Sequence, residues 1–256
     1  MVQIAQTERY PIGSDLFVKE YLTDGRVRFW KNGQLLDLEA WNRELNRFQS
    51  MAIKERHSNP LVRWQEQHRR QGFLRLVDAR PGEIVADVGC ESGYMAAALV
   101  VRGCHVICID IDAASLELAR QRIGPNQAEY VVSDIQAIQL PDASVDVAVA
   151  SEVLEHVPAP DAGLRELIRI TRPGGRIFLS VPNEPLILVI KQGLRAMRLT
   201  RLLGRLSENL AIGHVQVFHK RDLVRLCQTD GVAIRRVAYH KPFCLNIIVH
   251  LQRSGQ

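Results

Sequence analysis

The feature that most limits the possible folds is a regular alternation of apolar strands and helices after residue 82. Runs rich in β-branched residues predict five strands, at residues 84–88, 105–110, 129–132, 145–150 and 176–181. Helical periodicity predicts helices at residues 94–102, 113–122 and 162–171. Strands that are apolar along their whole length, with helices between them, are typical of a parallel sheet buried on both faces. We therefore predict a doubly wound α/β fold, whose ligand should lie at the carboxyl ends of the strands.

The N-terminal part of the chain does not follow this alternation. Short apolar runs are separated by Thr23-Asp24-Gly25 and Lys31-Asn32-Gly33, which are typical of hairpin turns and predict a small β-meander. Apolar residues spaced three and four apart predict helices at residues 39–57 and 60–78. We therefore divide the chain into an N-terminal appendage and a main domain, residues 1–58 and 59–256.

The composition excludes several classes of protein. With 46% hydrophobic residues in a chain of 256, a sizeable core can form, so neither a disordered chain nor a small disulfide scaffold is expected. The 5 cysteines include no pair two residues apart, which argues against a zinc knuckle and predicts buried, reduced thiols. Neither a signal-peptide pattern nor an apolar run of roughly 20 residues is found. We expect a cytoplasmic protein, either soluble or peripheral to a membrane.

A glycine-containing loop, Asp87-Val88-Gly89-Cys90-Glu91-Ser92-Gly93, follows the first predicted strand of the main domain. A glycine at this place lets the backbone approach a ligand, and the next helix offers free N–H groups. A nicotinamide dehydrogenase would have glycines at the first, third and sixth loop positions, and that pattern is missing. The loop resembles instead the first motif of class I S-adenosylmethionine-dependent methyltransferases, in which a glycine usually occupies the place of Glu91.

Further segments resemble this family in the expected order. Asp110 ends the second strand, where an acidic residue can accept both ribose hydroxyls. Ser133-Asp134-Ile135 follows the third strand, the segment from Ser151 to Pro158 follows the fourth, and Arg172-Pro173-Gly174-Gly175 leads into the fifth. Helix caps and turns would explain each segment singly but explain the ordered set poorly. The resemblance covers residues 60–250 and is strongest to methyltransferase type 11 and ubiquinone-biosynthesis O-methyltransferases.

The resemblance implies a Rossmann-like sheet of seven mostly parallel strands and S-adenosylmethionine as cofactor. Asp134 would bind the adenine amino group and Ile135 would cover the ring. Arg63, after Asn59-Pro60, would meet the methionine carboxylate, although an exposed arginine on a helix is the more common case. The implied cofactor-binding residues are Arg63, Asp87, Gly89, Cys90, Gly93, Asp110, Ile111, Asp134, Ile135 and Ser151.

Methyl transfer to a hydroxyl group requires in-line alignment and removal of a proton. His156 and His214 are the candidate bases, with Glu155 beside them. Glu152, Glu155 and His156 would share one face of a helix, and together with His214 they form a candidate Mg or Zn site. This set resembles both ubiquinone-pathway O-methyltransferases and small-RNA 3′-terminal 2′-O-methyltransferases, where such residues hold magnesium. A base that acts without a metal stays the alternative.

A basic segment lies between the fifth strand and the following helix. Lys191, Arg195, Arg198, Arg201 and Arg205 recur three and four apart beside an apolar face, which predicts an amphipathic helix within a lid insertion at residues 185–213. Without these five residues the chain would have 28 acidic and as many basic side chains, so the net charge of +5 is local to this helix. The helix at 186–206 would contact an anionic membrane, or its basic face is simply solvated.

Three functions are weighed against each other. The first is O-methylation of a hydroxylated, lipophilic small molecule. The second is 2′-O-methylation of RNA with the Glu/Glu/His/His metal site; nucleic acid is the less favoured partner because only 6% of residues are aromatic. The third is a non-catalytic module that binds S-adenosylmethionine. Nitrogen or carbon acceptors and an oligomeric state stay open.

Overall fold

The computed structural model describes residues 2–12, 14–24, 26–37, 40, 41, 44, 60–187, 189, 192, 214–240 and 245–255. The N-terminal part forms an antiparallel sheet in the order β1-β2-β3-β4, with strands β1 (Ile4–Ile12), β2 (Asp15–Leu22), β3 (Val27–Lys31) and β4 (Gln34–Leu36). The predicted meander is confirmed, with β1 as an additional strand. Asn32 and Gly33 both have positive φ, 51° and 82°, as a tight Asn-Gly hairpin turn requires.

The main sheet has seven strands in the order β10-β11-β9-β8-β5-β6-β7. These strands are β5 (Ile84–Val88), β6 (His105–Asp110), β7 (Ala128–Val132), β8 (Val145–Ser151), β9 (Thr171–Pro182), β10 (Val232–Tyr239) and β11 (Asn246–Arg253). Strand β11 runs antiparallel to both β9 and β10, while the pairs in the centre of the sheet are parallel. The predicted seven-stranded, mostly parallel Rossmann-like sheet is confirmed.

Five helices are described in full: α1 (Pro60–Leu76), α2 (Tyr94–Val101), α3 (Ala113–Ile123), α4 (Pro160–Ile170) and α5 (Lys220–Cys227). Side chains of the central strands alternate between two apolar clusters: Ala86 and Ala148 belong to one, and Val85 and Val147 to the other. The central strands are therefore buried on both faces, as their continuous apolar sequences predict.

The turn predicted at Arg172-Pro173-Gly174-Gly175 lies within β9. The strand begins at Thr171, and its pairing with β8 shifts between Val145↔Thr171 and Val147↔Arg176, so the intervening residues bulge out of the ladder. The prediction of a turn before the strand was wrong in this respect, because residues on both sides of the bulge pair with β8.

Parts of three predictions lie outside the described residues. Of the helix predicted at residues 39–57, only Ala40, Trp41 and Glu44 are described. Of the lid insertion at 185–213, only residues 185–187, 189 and 192 are described, and they are helical. Cys90, Cys104, Cys108 and Cys227 are free and buried, as predicted, whereas Cys244 lies outside. Among the described helices, none is long and apolar enough to cross a membrane.

Candidate active site

The backbone of the glycine-containing loop packs closely against neighbouring side chains at the carboxyl edge of the main sheet. Gly89 has φ +71°, and a Cβ atom at this position would lie 2.4 Å from Cγ2 of Val153. Gly93 has φ +70°, and its Cβ would lie 2.8 Å from Cβ of Ala119. Both positions therefore exclude side chains, which packs β5 and α2 closely against their neighbours.

Asp87, the penultimate residue of β5, is 3% exposed. The nearby backbone N–H of Ala96 partly opposes the effect of burial on the pKa of this carboxylate, and Oδ2 has no hydrogen-bond partner within the described part of the chain. Burial, the largest effect, raises the pKa of this carboxyl to about 7. A buried carboxylate with an unsatisfied oxygen would gain a partner from a cationic ligand.

A hydrogen bond links Glu91 in the glycine-containing loop to Asp110 at the end of β6. Glu91, at the position where the motif that the loop resembles usually has a glycine, has φ +48°, in the left-handed region that favours glycine. Its backbone N–H donates to Asp110 Oδ2 at 2.8 Å, and the N–H of Asp112 donates to Oδ1 at 2.9 Å. Burial raises the pKa of Asp110 to about 6. Cys90 is 7% exposed, and its thiol lies beside Cys108, whereas Ile111 is half-buried.

The remaining predicted cofactor residues occupy different surroundings. Asp134 Oδ1 accepts from the N–H of Gln136 at 2.9 Å and caps a short 3₁₀ turn. Ile135 is 5% exposed and belongs to the apolar core, so its contact with an adenine ring stays a prediction. Ser151 Oγ lies 2.9 Å from Ser180 Oγ at the ends of β8 and β9. Arg63 lies on the exposed surface of α1, and its role also stays a prediction.

Glu155, His156 and His214 come together at the end of β8. One potential ligand atom from each side chain lies within 4.8 Å of the other two, and the two imidazole centroids are 4.9 Å apart. The backbone N–H of Val215 donates to the carbonyl oxygen of Glu155 at 2.6 Å, which holds the segment after His214 against the 3₁₀ turn Leu154–His156. The structure thus brings together three of the four residues predicted for a metal.

Glu155 is 1% exposed, and neither carboxylate oxygen has a hydrogen-bond partner among the residues that the structure describes. Burial and then the nearby charge of Glu152 raise the pKa of this carboxyl well above its usual value. Such a group is stable as a protonated acid, or as a carboxylate in contact with a cation.

Glu152 is directed elsewhere, and the prediction that it shares a helical face with Glu155 and His156 was wrong. It precedes the 3₁₀ turn and has φ +61°, so the helical spacing does not apply. Its carboxylate forms an ion pair with Arg69 at 3.2 Å and accepts a hydrogen bond from the side-chain amide of Asn246.

Two residues that the sequence analysis did not single out contact His214. The carboxylate of Glu184, two residues after β9, contacts Nδ1 of His214, and both side chains are largely buried. Lys19 of β2 donates a hydrogen bond from Nζ to the carbonyl oxygen of His214 at 2.5 Å. Glu184 could have been proposed as a site residue from the sequence, because it lies just past the carboxyl end of a central strand. The contact of Lys19 could not, because it depends on tertiary packing.

Comparisons with known proteins relate the chain to methyltransferases. Residues 86–179 match the family described as "Methyltransferase domain". The chain is 31% identical over 181 residues to the ubiquinone biosynthesis O-methyltransferase of Azotobacter vinelandii, covering 69% of this chain and 72% of the relative. It is 37% identical over 108 residues to the malonyl-[acyl-carrier protein] O-methyltransferase of Serratia marcescens, covering 42% of each chain.

The matches to the first three relatives cover 42%, 51% and 48% of their lengths, or about half. Among solved structures, magnesium protoporphyrin IX methyltransferase from Synechocystis PCC 6803 with bound SAH has a TM-score of 0.63 at 19% identity, covering 85% of this chain and 98% of the other. That likeness supports the fold, while the Azotobacter relative extends over most of both chains. The chain therefore belongs to the S-adenosylmethionine-dependent methyltransferase family.

Proposed function

We propose that the protein transfers the methyl group of S-adenosylmethionine to a hydroxyl group of a lipophilic small molecule. The observation that carries this proposal is the contact between Glu184 and Nδ1 of His214, beside Glu155 and His156 at the carboxyl edge of the sheet. A carboxylate at Nδ1 favours the tautomer that carries its proton there, so Nε2 keeps a free lone pair. His214 is therefore the better candidate base.

The cofactor would lie along β5 and β6. Asp110 would exchange the N–H of Glu91 for ribose hydroxyls, and Asp87 would lie under the cationic end of the cofactor. When bound, S-adenosylmethionine would supply an electrophilic methyl group, and transfer of this group to the acceptor oxygen would leave the electrons of the carbon–sulfur bond on S-adenosylhomocysteine. The hydroxyl proton passes to Nε2 of His214.

The names of relatives support a substrate of the quinone type, since they include a ubiquinone biosynthesis O-methyltransferase and a demethylmenaquinone methyltransferase, and the first of these names supports oxygen as the acceptor atom. An assay with labelled S-adenosylmethionine and 4-nonylcatechol, a hydroxylated ring with an alkyl chain, tests this class. We expect labelled monomethyl ether, and we expect Glu184→Gln to reduce its rate about 10²-fold. The matched control is Glu166→Gln, because Glu166 pairs with Arg169 on α4. Product formed equally fast by both variants would contradict the role of Glu184.

A metal-assisted form of the same reaction is the second candidate. The two oxygens of Glu155 that lack partners within the described chain, with the imidazoles of His156 and His214, fit a divalent cation. One carboxylate and two imidazoles suit zinc better than magnesium, which prefers oxygen ligands. A bound cation would lower the pKa of the acceptor hydroxyl. Loss of activity on chelation and its return with zinc would favour this form, whereas full activity after chelation would exclude it.

Three further proposals, which concern the basic segment, the acceptor and catalysis itself, are also testable. If residues 186–206 form a membrane-binding lid, the protein should float with liposomes that contain anionic lipid and not with neutral ones. Equal recovery with both would contradict membrane contact.

Methylation of a small-RNA 3′ end in place of the catechol would favour the RNA alternative, and cofactor binding without any methyl transfer would favour a binding module.

A further inference from the structure

The inner face of the N-terminal sheet carries a buried ammonium group. Phe17, Lys19 and Tyr21 alternate onto one face of β2, and Lys19 is 0% exposed. In the register of the sheet, Lys19 pairs with Glu8 on β1 and with Phe29 on β3. A buried ammonium is costly unless it is hydrogen-bonded and its charge is balanced, so this lysine must have a specific environment.

That environment consists of the active-site segment and two carboxylates. Lys19 Nζ donates a hydrogen bond to the carbonyl oxygen of His214 at 2.5 Å. Burial lowers the pKa of Lys19 to about 8, and the negative charges of Glu8 and Glu184 oppose this effect. Tyr10 and Tyr21 both donate from their hydroxyls to Glu8 Oε2, at 2.5 and 3.1 Å. Glu184 is also the carboxylate that contacts Nδ1 of His214.

An apolar contact joins the same two parts of the molecule. Val215, directly after His214, packs in one cluster with Phe17, Phe29 and Trp41. The N-terminal sheet thus holds His214 by its carbonyl and its neighbour by apolar packing, while Glu155 accepts the N–H of that neighbour. These contacts fix the peptide that joins His214 to Val215.

We propose that Lys19 is a positioning residue, through which the N-terminal sheet holds His214 between Glu184 and His156. The inference rests on the proposed function, in which His214 accepts the proton. The sheet at residues 4–36 is then a part of the reaction site, although it precedes the methyltransferase domain in the chain.

Spectroscopy of the histidine side chains tests this inference without an acceptor. In protein saturated with S-adenosylhomocysteine, Lys19→Met removes the ammonium and keeps an apolar chain of similar length. We expect the imidazole ¹⁵N resonances of His214 to move, while those of His105, at the exposed start of β6, stay in place. The control is Lys31→Met on β3, because Lys31 pairs with Asp15 at 3.1 Å and with Glu44 at 2.5 Å. Unchanged His214 resonances in Lys19→Met, or an equal change in Lys31→Met, would overturn the inference.

Kinetics with 4-nonylcatechol gives an independent readout. We expect Lys19→Met to lower kcat about 10- to 100-fold with KM for S-adenosylmethionine unchanged. In a His214→Ala background it should have no further effect, because Lys19 acts through His214. Independent, multiplicative losses would overturn the inference. If Lys19→Met does not fold, Lys19→Gln is compared with Lys31→Gln instead. The glutamine side chain is shorter than that of lysine and also lacks the charge. If the wild type binds cofactor but leaves the catechol unmethylated, the proposed function fails, and the histidine spectra still decide the role of Lys19.

Discussion

At the scale of single residues, backbone conformation decides which side chains the cofactor loop accepts. Gly89 and Glu91 both have positive φ, and a Cβ atom at Gly89 would lie closer to the side chain of Val153 than van der Waals contact allows. Glu91 can occupy its position because a left-handed conformation costs a non-glycine residue only on the order of 1 kcal/mol, and its N–H gains a hydrogen bond to Asp110. The departure from the family motif is thus compatible with the loop geometry.

Gly89→Ala should destabilise the protein by about 2–4 kcal/mol, because it combines positive φ with a clash against Val153. Urea denaturation of Gly89→Ala, Val153→Ala and the double variant separates the two contributions. We expect the double variant to recover about 1–2 kcal/mol relative to the sum of the single changes. Strict additivity would show that the clash is not the cause.

Residue spacing predicted some of the site and failed at other places for a physical reason. The predicted strand ends were enough to place three acids, Asp87, Asp110 and Asp134, at one edge of the sheet. This is because neighbouring parallel strands have their carboxyl ends at the same edge. Glu152 was misplaced because helical spacing assumes continuous helical dihedrals, and its φ of +61° breaks that assumption. Glu184, just past the end of β9, could have been proposed on the same ground as these three acids, whereas its contact with His214 depends on the packing of a residue that is distant in sequence.

At the scale of elements, burial on both faces made the central strands recognisable. Strand β5 begins and ends where the apolar run does, whereas β1 was missed because its side chains are mostly exposed and it is held by pairing with β2. The bulge in β9 was also missed, since an Arg-Pro-Gly-Gly segment is typical of a turn. Only the pairing partner shows that such a segment lies within a strand.

The β9 bulge predicts a contrast between two adjacent glycines. A Cβ atom at Gly175 would lie 2.8 Å from the backbone oxygens of Arg172 and Asp146, whereas a Cβ at Gly174 would meet no atom within 4 Å. We expect Gly175→Ala to cost about 2–3 kcal/mol of unfolding free energy and Gly174→Ala about 1 kcal/mol, from its positive φ alone. Thermal denaturation of both variants measures this, and equal losses would argue against a tight bulge.

At the scale of the whole molecule, the site stores unfavourable charge that a cationic cofactor would relieve. The pKa of Asp87 rises from 3.8 in an unperturbed group to about 7 in the folded protein. Since the folded state then binds more protons than the unfolded state, the contribution of Asp87 to stability is fully present below pH 4 and is lost as pH rises through about 7.

Asp87→Asn removes this titration with little change in the size of the side chain. In the absence of ligand, the wild type should lose on the order of 2 kcal/mol of stability as the pH rises from 5 to 8. The variant should not show this loss. Asp230→Asn, at an exposed carboxylate, serves as the control and should follow the wild type. Urea midpoints at the two pH values give the comparison, and parallel curves for wild type and Asp87→Asn would refute the assignment.

The central claim is that S-adenosylmethionine binds at the carboxyl ends of β5 and β6 through Asp110. Isothermal titration of the cofactor into wild type, Asp110→Asn and Asp112→Asn tests it most directly. Asp112 is the matched control, because it caps α3 by accepting from the N–H of Ala114 at 3.1 Å, a role that asparagine fills equally well. We predict one site per chain and an unchanged Kd for Asp112→Asn. For Asp110→Asn we predict a 10- to 100-fold higher Kd, about as expected for the loss of hydrogen bonds to a charged acceptor. Absence of binding to the wild type, or equal affinity of wild type and Asp110→Asn, would contradict the claim.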